Sequence, residues 1–450
     1  MSEKKFDVIV LGTGPAGSSV AEKLAEQGRS VAIVESREFG GTCALRGCNP
    51  KKVYVNAAAV VDSARRSQDR LVHDPGVAID WKQLLEFKRE FTEPVLRTRE
   101  SSLRKSGIST LAGSARFTSP KTLTVDEQSL SAERFVVATG AKPRPLDFLG
   151  YEQLTHSDEF LELSDLPPRL LFIGGGYISM EFAHVAARYG SQVTIVERGN
   201  GILDGFDPQL ADLLTEYSRK LGIDFRFESE VSAIDTGEQH GYQAALSTGE
   251  QVACDLIIHG AGRVPNIDAL DLAAAEVEFG EKGIVVNEFM QSTSNPRVFA
   301  AGDCVASGRP RLTPVANEEA RIVSKNLLAG ELTSVPDYGS VPAVAFTVPA
   351  LSSVGLSEAE AREQGVDLQV NFSETSTWGS VRKTGDTVAG YKILIDKSND
   401  RIVGAHLVGP AAEETINIFA LALRYEMTAT DLKATLFAFP TFASDIRRMV

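Results

Sequence analysis

Two cysteines with four residues between them stand in "GGTCALRGCNPKK", residues 40–52, flanked by a pair of glycines and a pair of lysines. Thiols at this spacing can close a structural disulfide, bind a metal ion or exchange electrons as a redox pair. Residues five apart in a helix are separated by about 7.5 Å along its axis. The Cα limit for a disulfide is roughly 7 Å. If Cys43 and Cys48 pair, the helix must be distorted, which Gly47 permits.

The three uses of this pair make different demands on the rest of the chain. A structural bridge across so short a loop gains little chain entropy. A metal centre needs further ligands, yet none of the six histidines lies within twenty residues of the pair. Lys51 and Lys52 would lower the pKa of a neighbouring thiol and favour the thiolate. These features favour a redox pair, on condition that a reducing cofactor lies beside it.

The elements that must position the cysteines begin with a β-strand pattern, "FDVIVL", residues 6–11, followed at once by "GTGPAG" and a helical pattern. Gly12, Gly14 and Gly17 allow the backbone to approach a pyrophosphate on the helix N-terminus. A second strand ends at Glu35, the position at which a carboxylate binds an adenosine ribose. The segment predicts a dinucleotide-binding unit.

The same pattern recurs in "RLLFIGGGYISMEFAHVAARYGSQVTIVERG". Gly174 and Gly176 open the turn, Ser179 stands where a third glycine or alanine is usual, and Glu197 ends the next strand. Two such units predict two different dinucleotides, since a hydride must pass from a diffusible carrier to a bound acceptor. A flavin and a nicotinamide form the obvious pair.

Two further segments fit a bound flavin. "RVFAAGDCV" places Asp303 at the end of a strand, where a carboxylate can bind polyol hydroxyls or serve only as a turn residue. In "LTPVANEEAR", Thr313 is the predicted N-cap of a helix and Pro314 its first residue. The partial positive charge of that helix terminus would stabilise an anionic reduced flavin.

Composition excludes several classes of partner. The chain has 450 residues, 46 basic and 60 acidic, for a net charge of -14. This charge repels nucleic-acid phosphates and anionic lipid, and no apolar run is long enough to span a membrane. We therefore expect a soluble, cytoplasmic protein whose partners are small molecules or proteins.

The sequence resembles the flavoprotein pyridine nucleotide-disulfide oxidoreductases, the group containing glutathione reductase, dihydrolipoamide dehydrogenase and mercuric reductase. The resemblance spans nearly the whole chain. Its motifs, in family order, are "GTGPAG", "GGTCALRGCNPKK", "ATG", "GGGYISME", "GAGRVPN", "AAGD", "LTPVA", "FTVPALSSVGLSEAEA" and "GAHLVG".

The resemblance implies an α/β fold with two Rossmann-like dinucleotide-binding domains and a C-terminal α+β dimerisation domain, in a homodimer. The FAD domain would comprise residues 1–148 and 263–336. The NAD(P) domain would comprise residues 149–262, and the dimerisation domain residues 337–450. Within the last domain, "ETINIFALALRYEMTATDLKA" predicts one helix with an apolar stripe.

The resemblance also implies roles for single residues. FAD would be contacted by Gly12, Gly14, Gly17, Glu35, Thr42, Lys52, Gly140, Asp303 and Thr313. NAD(P)H would be contacted by Gly174, Gly176, Glu197 and Gly262. Lys51, paired with Glu181, would lie beside flavin N5. Cys48 would be the charge-transfer thiol that faces the flavin, and Cys43 the interchange thiol that attacks the substrate.

The choice of nicotinamide depends on the end of the second unit's strand. Glu197 can accept hydrogen bonds from both ribose hydroxyls and would repel a 2′-phosphate, which favours NADH. Arg198 follows directly and keeps NADPH possible.

The C-terminus departs from the family pattern. Disulfide-reducing members carry His-Pro-Thr and then a glutamate, which the partner subunit supplies as an acid/base pair. In the matching "FAFPTFASD", Phe439 stands in place of the histidine and Ser444 in place of the glutamate, with Asp445 one position late. Positioned general acid catalysis is worth about 10² to 10⁴ in rate, so the usual disulfide substrates are in question.

The sequence therefore predicts an FAD-dependent NAD(P)H oxidoreductase that passes electrons through Cys43 and Cys48 to an acceptor needing no histidine acid. Candidate acceptors are an unusual small or protein disulfide, a metal ion held by the thiols, or a quinone reduced directly by the flavin. One alternative is a diaphorase-like NAD(P)H:quinone reductase whose thiols do not act on substrate. Another is an FAD-binding redox sensor or interaction protein with little turnover.

Overall fold

A computed structural model describes residues 4–68, 71–73, 76–236 and 241–450. The chain divides into two compact units. The first unit consists of Met1–Pro50, Lys88–Arg144 and Arg263–Tyr338. The second unit consists of Lys51–Phe87, Pro145–Gly262 and Gly339–Val450. None of the helices that the structure describes is both long and apolar enough to cross a membrane.

The N-terminal third builds a mainly parallel sheet. The strands of this sheet are β1 (Lys4–Leu11), β2 (Val31–Glu35), β3 (Ser109–Ala112), β4 (Ala115–Ser119), β5 (Thr122–Val125) and β6 (Gln128–Val137), and β7 (Ala141–Pro143) follows outside it. Its helices are α1 (Pro15–Glu26), α2 (Gly41–Leu45), α3 (Cys48–Ser67) and α4 (Trp81–Lys105). The sheet order is β3-β2-β1-β6-β5-β4, and β4 and β5 run antiparallel to their neighbours. Every residue of β2 is buried, as a parallel strand covered on both faces requires.

A second strand-turn-helix repeat follows. Its strands are β8 (Arg169–Ile173), β9 (Gln192–Val196), β10 (Ile223–Arg226), β11 (Val231–Thr236), β12 (Tyr242–Leu246), β13 (Gln251–Cys254) and β14 (Leu256–His259). Its helices are α5 (Ser157–Phe160), α6 (Tyr177–Tyr189) and α7 (Pro208–Lys220). A parallel sheet forms in the order β10-β9-β8-β14, and β11, β12 and β13 form a separate antiparallel sheet.

The chain then returns to the first unit. This segment contains β15 (Arg263–Pro265), β16 (Phe279–Gly280), β17 (Gly283–Ile284), β18 (Val298–Ala300) and α8 (Thr313–Ala329). Strand β18 pairs in parallel with β6, and β15 pairs with β7. Helix α8 thereby packs in the same hydrophobic core as α1 and the first sheet.

The C-terminal part is an antiparallel sheet covered by helices. Its strands are β19 (Ala343–Ala345), β20 (Ala350–Gly355), β21 (Leu368–Glu374), β22 (Gly390–Asp396) and β23 (Arg401–Gly409), in the order β19-β20-β23-β22-β21. Its helices are α9 (Glu358–Glu363), α10 (Gly379–Arg382), α11 (Ala412–Arg424), α12 (Ala429–Ala434) and α13 (Ile446–Met449). The apolar face of α11 packs on this sheet. The predicted fold class, two Rossmann-like repeats followed by an α+β part, is confirmed.

Candidate active site

The glycine-rich turn of the first unit joins β1 to α1. A Cβ on Gly12, whose φ is +102°, would lie 2.4 Å from the carbonyl oxygen of Ala138. A Cβ on Gly17 would lie 2.0 Å from the carbonyl oxygen of Gly12. At Gly14, the N-cap of α1, no atom from elsewhere in the described chain comes within 4 Å of the Cβ position. Close packing therefore requires glycine at positions 12 and 17. The open space at Gly14 is large enough for a phosphate group at the helix N-terminus.

The carboxylate of Glu35 fixes the conformation of this turn. Its Oε2 accepts hydrogen bonds from the Thr13 amide at 3.0 Å and the Thr13 hydroxyl at 2.5 Å. Its Oε1 accepts the amide of Arg37 at 3.0 Å. Glu35, which is predicted to bind the ribose, therefore also joins the glycine-rich turn to the end of β2. We call this turn the phosphate turn after its predicted ligand.

The double glycine before the first cysteine packs against the same turn. A Cβ on Gly41, whose φ is +70°, would lie 2.4 Å from Gly14 Cα. The amide of Gly40 donates to the Thr13 hydroxyl at 3.0 Å. Only glycine allows this approach, which places exposed Thr42 and partly buried Cys43 directly after the contact with the phosphate turn.

The two thiols lie on either side of a break between helices. Cys43 is in α2, Cys48 opens α3, and Arg46 and Gly47 interrupt the helix between them. The Thr313 hydroxyl donates to Cys43 Sγ at 3.4 Å and lies 3.8 Å from Cys48 Sγ. One hydroxyl thus contacts both sulfurs.

The acidity of Cys43 differs from the sequence-based expectation. Its pKa is raised, first because the thiol hydrogen-bonds to Cys48 and second because it is buried. The prediction that Lys51 and Lys52 would lower a neighbouring thiol pKa is wrong for Cys43. Both ammonium groups are paired with the carboxylate of Glu181, which balances one of their two charges.

The start of α8 also differs from its prediction. The N-cap is Leu312, and Thr313 is the first helical residue, so Pro314 takes the second position. The Thr313 side chain does not cap the helix because its hydroxyl is directed to the thiols.

Asp303 lies at the turn after β18, in the first unit. Burial raises the pKa of its carboxyl, although Arg263 and Arg311 act in the opposite direction. Within the described residues its carboxylate receives no hydrogen bond from the protein, so both oxygens remain available for ligand hydroxyls.

Sequence reasoning assigned no role to Thr139, which precedes Gly140 in the "ATG" motif. Its hydroxyl is buried and has no hydrogen-bond partner within the described part of the chain. Gly140 has a φ of +69°, and its carbonyl accepts the amide of Asn266 at 2.9 Å. A buried orphan hydroxyl beside the phosphate turn fits a bound cofactor, and the only sequence signal for it is the motif itself.

In the second unit, one buried carboxylate receives two lysines. Glu181 Oε2 lies 3.0 Å from Lys51 Nζ and 2.7 Å from Lys52 Nζ, and Oε1 accepts the amide of Phe346 at 3.1 Å. Burial acts to raise the pKa of Glu181, but the two ammonium groups outweigh it and the pKa lies below its usual value. Lys52, predicted to lie near the flavin phosphates, thus has Glu181 as a partner.

Two aromatic rings that sequence reasoning missed flank these lysines. Lys51 Nζ lies 4.7 Å from the centroid of the Tyr177 ring, and Lys52 Nζ lies 3.6 Å from that of Phe346. Cation–π contacts of this length add to the ion pairs. Phe346 is far from the lysines in sequence, so no local pattern could have indicated the contact.

The glycine-rich turn of the second unit joins β8 to α6. A Cβ on Gly174, whose φ is +93°, would lie 2.7 Å from the carbonyl oxygen of Gly260. Gly176 is the N-cap of α6, and its nearest neighbour to a Cβ is 3.7 Å away. The turn therefore has the same construction as the first, with open space at the helix N-terminus.

Glu197 occupies in this unit the place of Glu35 in the first. Its Oε2 accepts the amide of Gly175 at 2.5 Å and its Oε1 that of Gly199 at 2.7 Å. Arg198 is exposed, and Gly262, with φ +97°, ends the turn after β14.

The C-terminal residues lie in the second unit. Phe439 is 87% exposed on the single chain. The Ser444 hydroxyl donates to the Thr441 carbonyl at 2.6 Å, and Asp445 accepts a hydrogen bond from Ser380. Among the described residues, no group of three or more histidine, cysteine or acidic side chains could hold a metal ion.

The predicted residues therefore fall into two sets. The first unit holds Gly12, Gly14, Gly17, Glu35, Thr42, Cys43, Cys48, Gly140, Asp303 and Thr313. The second unit holds Lys51, Lys52, Gly174, Gly176, Glu181, Glu197 and Gly262. Two glycine-rich turns, with a thiol pair beside the first, are typical of a flavin- and nicotinamide-dependent oxidoreductase.

Comparisons with known proteins place this class within a family. Residues 6–320 match the pyridine nucleotide-disulphide oxidoreductase family, and residues 341–450 match its dimerisation domain. The chain belongs to this family, whose members use FAD and NAD(P)H. It is an enzyme of the disulfide oxidoreductase class.

Three relatives differ in their substrates. The chain is 32% identical to a glutathione reductase of Burkholderia cepacia, over 99% of this chain and 98% of that protein. It is 31% identical to a dihydrolipoyl dehydrogenase of Bacillus subtilis, over 97% and 93%. It is 30% identical to a mercuric reductase of Lysinibacillus sphaericus, over 99% and 82%.

A solved structure is also similar. The Cu(II) complex of the HOCl-induced flavoprotein disulfide reductase RclA from Escherichia coli superposes with a TM-score of 0.88 at 27% identity. The match covers 100% of this chain and 99% of RclA.

Proposed function

We propose that this enzyme passes electrons from NAD(P)H through FAD to the Cys43–Cys48 pair, and from Cys43 to an acceptor that needs no histidine acid. The observation that carries the proposal is the packing of the cysteine segment on the phosphate turn. A Cβ on Gly41 would lie 2.4 Å from Gly14, and the Thr313 hydroxyl contacts both sulfurs. A cofactor whose pyrophosphate binds at the turn around Gly14 would thus lie beside the two cysteines.

The residues of the first unit suit FAD. The space at Gly14 would take the pyrophosphate, Glu35 the adenosine ribose and Asp303 the ribityl hydroxyls. FAD supplies hydride acceptance and electron transfer to the thiols. Thr42, Lys52 and Gly140 are further proposed contacts of FAD. The hydroxyl of Thr313 contacts both sulfurs.

For the nicotinamide, we favour NADH. Gly174, Gly176 and Gly262 would form its binding turn. The Glu197 carboxylate accepts hydrogen bonds from two backbone amides. Its remaining lone pairs would accept the ribose hydroxyls, and its negative charge would repel a 2′-phosphate. Exposed Arg198 keeps NADPH as the second option.

Lys51 is proposed to lie beside flavin N5, with Glu181 as its ion-pair partner. Glu181 also binds Lys52, so the site carries two ammonium groups and one carboxylate. The surplus positive charge would favour the negative charge that hydride transfer adds to the flavin.

The proposed assembly is a cytoplasmic homodimer. Residues 1–148 and 263–336 would serve FAD, residues 149–262 the nicotinamide and residues 337–450 dimerisation. The match of residues 341–450 to a family dimerisation domain supports this division.

The acceptor is proposed to be a metal ion held by the thiols or an unusual disulfide. Phe439 and Ser444 cannot donate a proton as histidine and glutamate do, which argues against an ordinary disulfide substrate. Reduction of a metal ion requires no protonated leaving thiol. That RclA, of the same fold, was solved with Cu(II) supports including a metal ion.

A diaphorase-like reductase is the second candidate, and the exposed phenyl ring of Phe439 favours it. An apolar side chain in place of a histidine would suit a quinone reduced directly by the flavin. A third candidate, a redox sensor with little turnover, would bind FAD without sustained reduction of any acceptor.

Cys43→Ser separates these candidates in steady-state assays with Cu(II), small disulfides and quinones. We expect loss of activity toward metal ions and disulfides of at least about a hundredfold, while Cys254→Ser, a buried cysteine outside the pair, stays near wild type. Unchanged quinone reduction with no thiol-dependent activity would favour the diaphorase. If the wild-type enzyme turned over none of these acceptors, the redox sensor would be the remaining candidate.

A further inference from the structure

Glu319, in the second turn of α8, is a buried carboxylate without a role in the proposed electron transfer. It is 1% exposed and belongs to the first unit. Its Oε2 accepts the amide of Gly302 at 2.6 Å, and its Oε1 accepts the hydroxyl of Tyr338 at 2.9 Å. These donors are neutral, in contrast to the two lysines on Glu181.

The contact with Gly302 joins two parts of the flavin site. Gly302 precedes Asp303, the proposed ribityl contact, and has a φ of +81°. A Cβ on Gly302 would lie 3.4 Å from that of Ala316 on α8. Six residues before Glu319, α8 begins at Thr313, whose hydroxyl contacts both thiols. One carboxyl group therefore holds the Asp303 turn to the helix that touches the cysteines.

The site can satisfy either protonation state of Glu319. The Tyr338 hydroxyl also lies 3.8 Å from Met290 Sδ. If Oε1 takes a proton, it can donate to the Tyr338 oxygen while the tyrosine hydrogen turns to the sulfur. The amide of Gly302 keeps its acceptor in both states.

Burial favours the protonated form of Glu319 below about pH 7. Burial raises the pKa of Glu319 to about 7, against the hydrogen bonds from Gly302, Tyr338 and Ser307, and Asp303 raises it further. Arg309 lies over the Tyr338 ring, while Arg263 and Arg311 face Asp303. Glu318, the next acid on the helix, is paired with Arg321.

We propose that Glu319 is a positioning residue for the flavin: it ties the Gly302–Asp303 turn to α8, so that Asp303 and Thr313 keep a fixed spacing. The inference rests on the proposed function, in which both residues face the cofactor. Because FAD is an anion, proton uptake by Glu319 favours its binding, and the affinity for FAD falls as pH rises through neutrality.

The test measures FAD affinity of the full-length protein by flavin fluorescence between about pH 5.5 and 9, which brackets the Glu319 titration. Glu319→Ala removes the hydrogen bonds to Gly302 and Tyr338 and should raise the dissociation constant about tenfold or more. Glu319→Gln mimics the protonated acid, since its carbonyl can accept the Gly302 amide and its amide can donate to Tyr338. It should keep the affinity that the wild type has at low pH and lose the dependence on pH.

Glu318→Gln is the matched control, one residue away on the same helix, and should retain the wild-type profile. Wild-type affinity in Glu319→Ala, or an unchanged pH profile in Glu319→Gln, would overturn the inference. If Glu319→Ala does not fold, the Glu319→Gln profile decides alone. Absence of FAD binding by the wild-type protein would overturn the proposed function itself, and this inference with it.

Discussion

In both units a carboxylate accepts backbone amides of the glycine-rich turn. The glycine at the contact between helix and strand, however, lies on the helix in the first unit and after the strand in the second. In the first unit, Gly17 on the helix faces Ala138, just after β6, and a Cβ on Gly17 would lie 3.3 Å from the alanine Cβ. In the second, Ser179 takes the helix position and Gly260 the strand position, where a Cβ would lie 1.9 Å from Ser179 Oγ.

The third small residue of the motif makes room for the close approach of the helix to the neighbouring backbone. The helix and the strand approach closely in both units, and in the second unit the glycine after the strand leaves room for a side chain on the helix. In the first unit, glycine is required at position 17 by the Gly12 carbonyl oxygen, 2.0 Å from a Cβ, more than by Ala138. A serine at the third position is therefore compatible with a phosphate turn when glycine follows the facing strand. The carboxylates are the same in both units: Glu35 and Glu197 each accept two backbone amides, from 22 residues earlier and two residues later.

Exchanging the two helix residues, glycine for serine, should have very different effects on the stability of the two units. Gly17→Ser should destabilise the first unit by more than about 3 kcal/mol, since its Cβ would meet the Gly12 carbonyl oxygen, which cannot move away. Ser179→Gly should cost less than about 1 kcal/mol. Urea denaturation and FAD retention measure both, and equal effects would contradict the comparison.

A smaller effect is expected on the strand side of the second unit. Gly260→Ala should cost about 1–3 kcal/mol through overpacking against Ser179 Oγ. The double variant Gly260→Ala with Ser179→Gly should recover most of that loss, because it recreates the arrangement of the first unit. A double-mutant cycle measures the coupling, and additive losses would show that the two residues do not share one contact.

A dependence on pH distinguishes the buried acids of the two units. The folded-state pKa of Glu319 is raised to about 7, so its contribution to stability is greatest at low pH and declines as pH rises from about 4.5 to 7, by at most about 1.4 kcal/mol per pH unit. The pKa of Glu181 is lowered, so its contribution is present above about pH 4.5 and is lost on further acidification.

Glu319→Gln should therefore remove the decline between about pH 4.5 and 7 in urea denaturation of the protein without FAD, whereas Glu318→Gln should not. Identical pH profiles for wild type and Glu319→Gln would show that Glu319 does not titrate in this range.

Local sequence patterns were enough to predict the turns. The spacing of Gly12, Gly14 and Gly17, and of the acids after them, follows from the strand-turn-helix geometry alone. The break between the cysteines was likewise predictable, since an unbroken helix would hold Cys43 and Cys48 too far apart to bridge.

Long-range partners account for what the sequence could not predict. The lysines after Cys48 were predicted to lower a neighbouring thiol pKa, but both pair with Glu181, 129 residues beyond Lys52, and the pKa of Cys43 is raised. Thr313 looked like an N-cap, but its hydroxyl is taken by thiols some 265 residues earlier. The predicted single helix after β23 is two helices, α11 and α12, because the Thr428 hydroxyl caps a new start.

The measurement that tests the central claim most directly is an anaerobic NADH titration of the FAD-loaded enzyme, followed by visible absorbance. We predict uptake of four electrons per subunit, two on the flavin and two on the Cys43–Cys48 pair, with a long-wavelength thiolate-to-flavin band that Cys48→Ser abolishes. Uptake of only two electrons without that band would contradict the claim that the thiols receive electrons from the flavin.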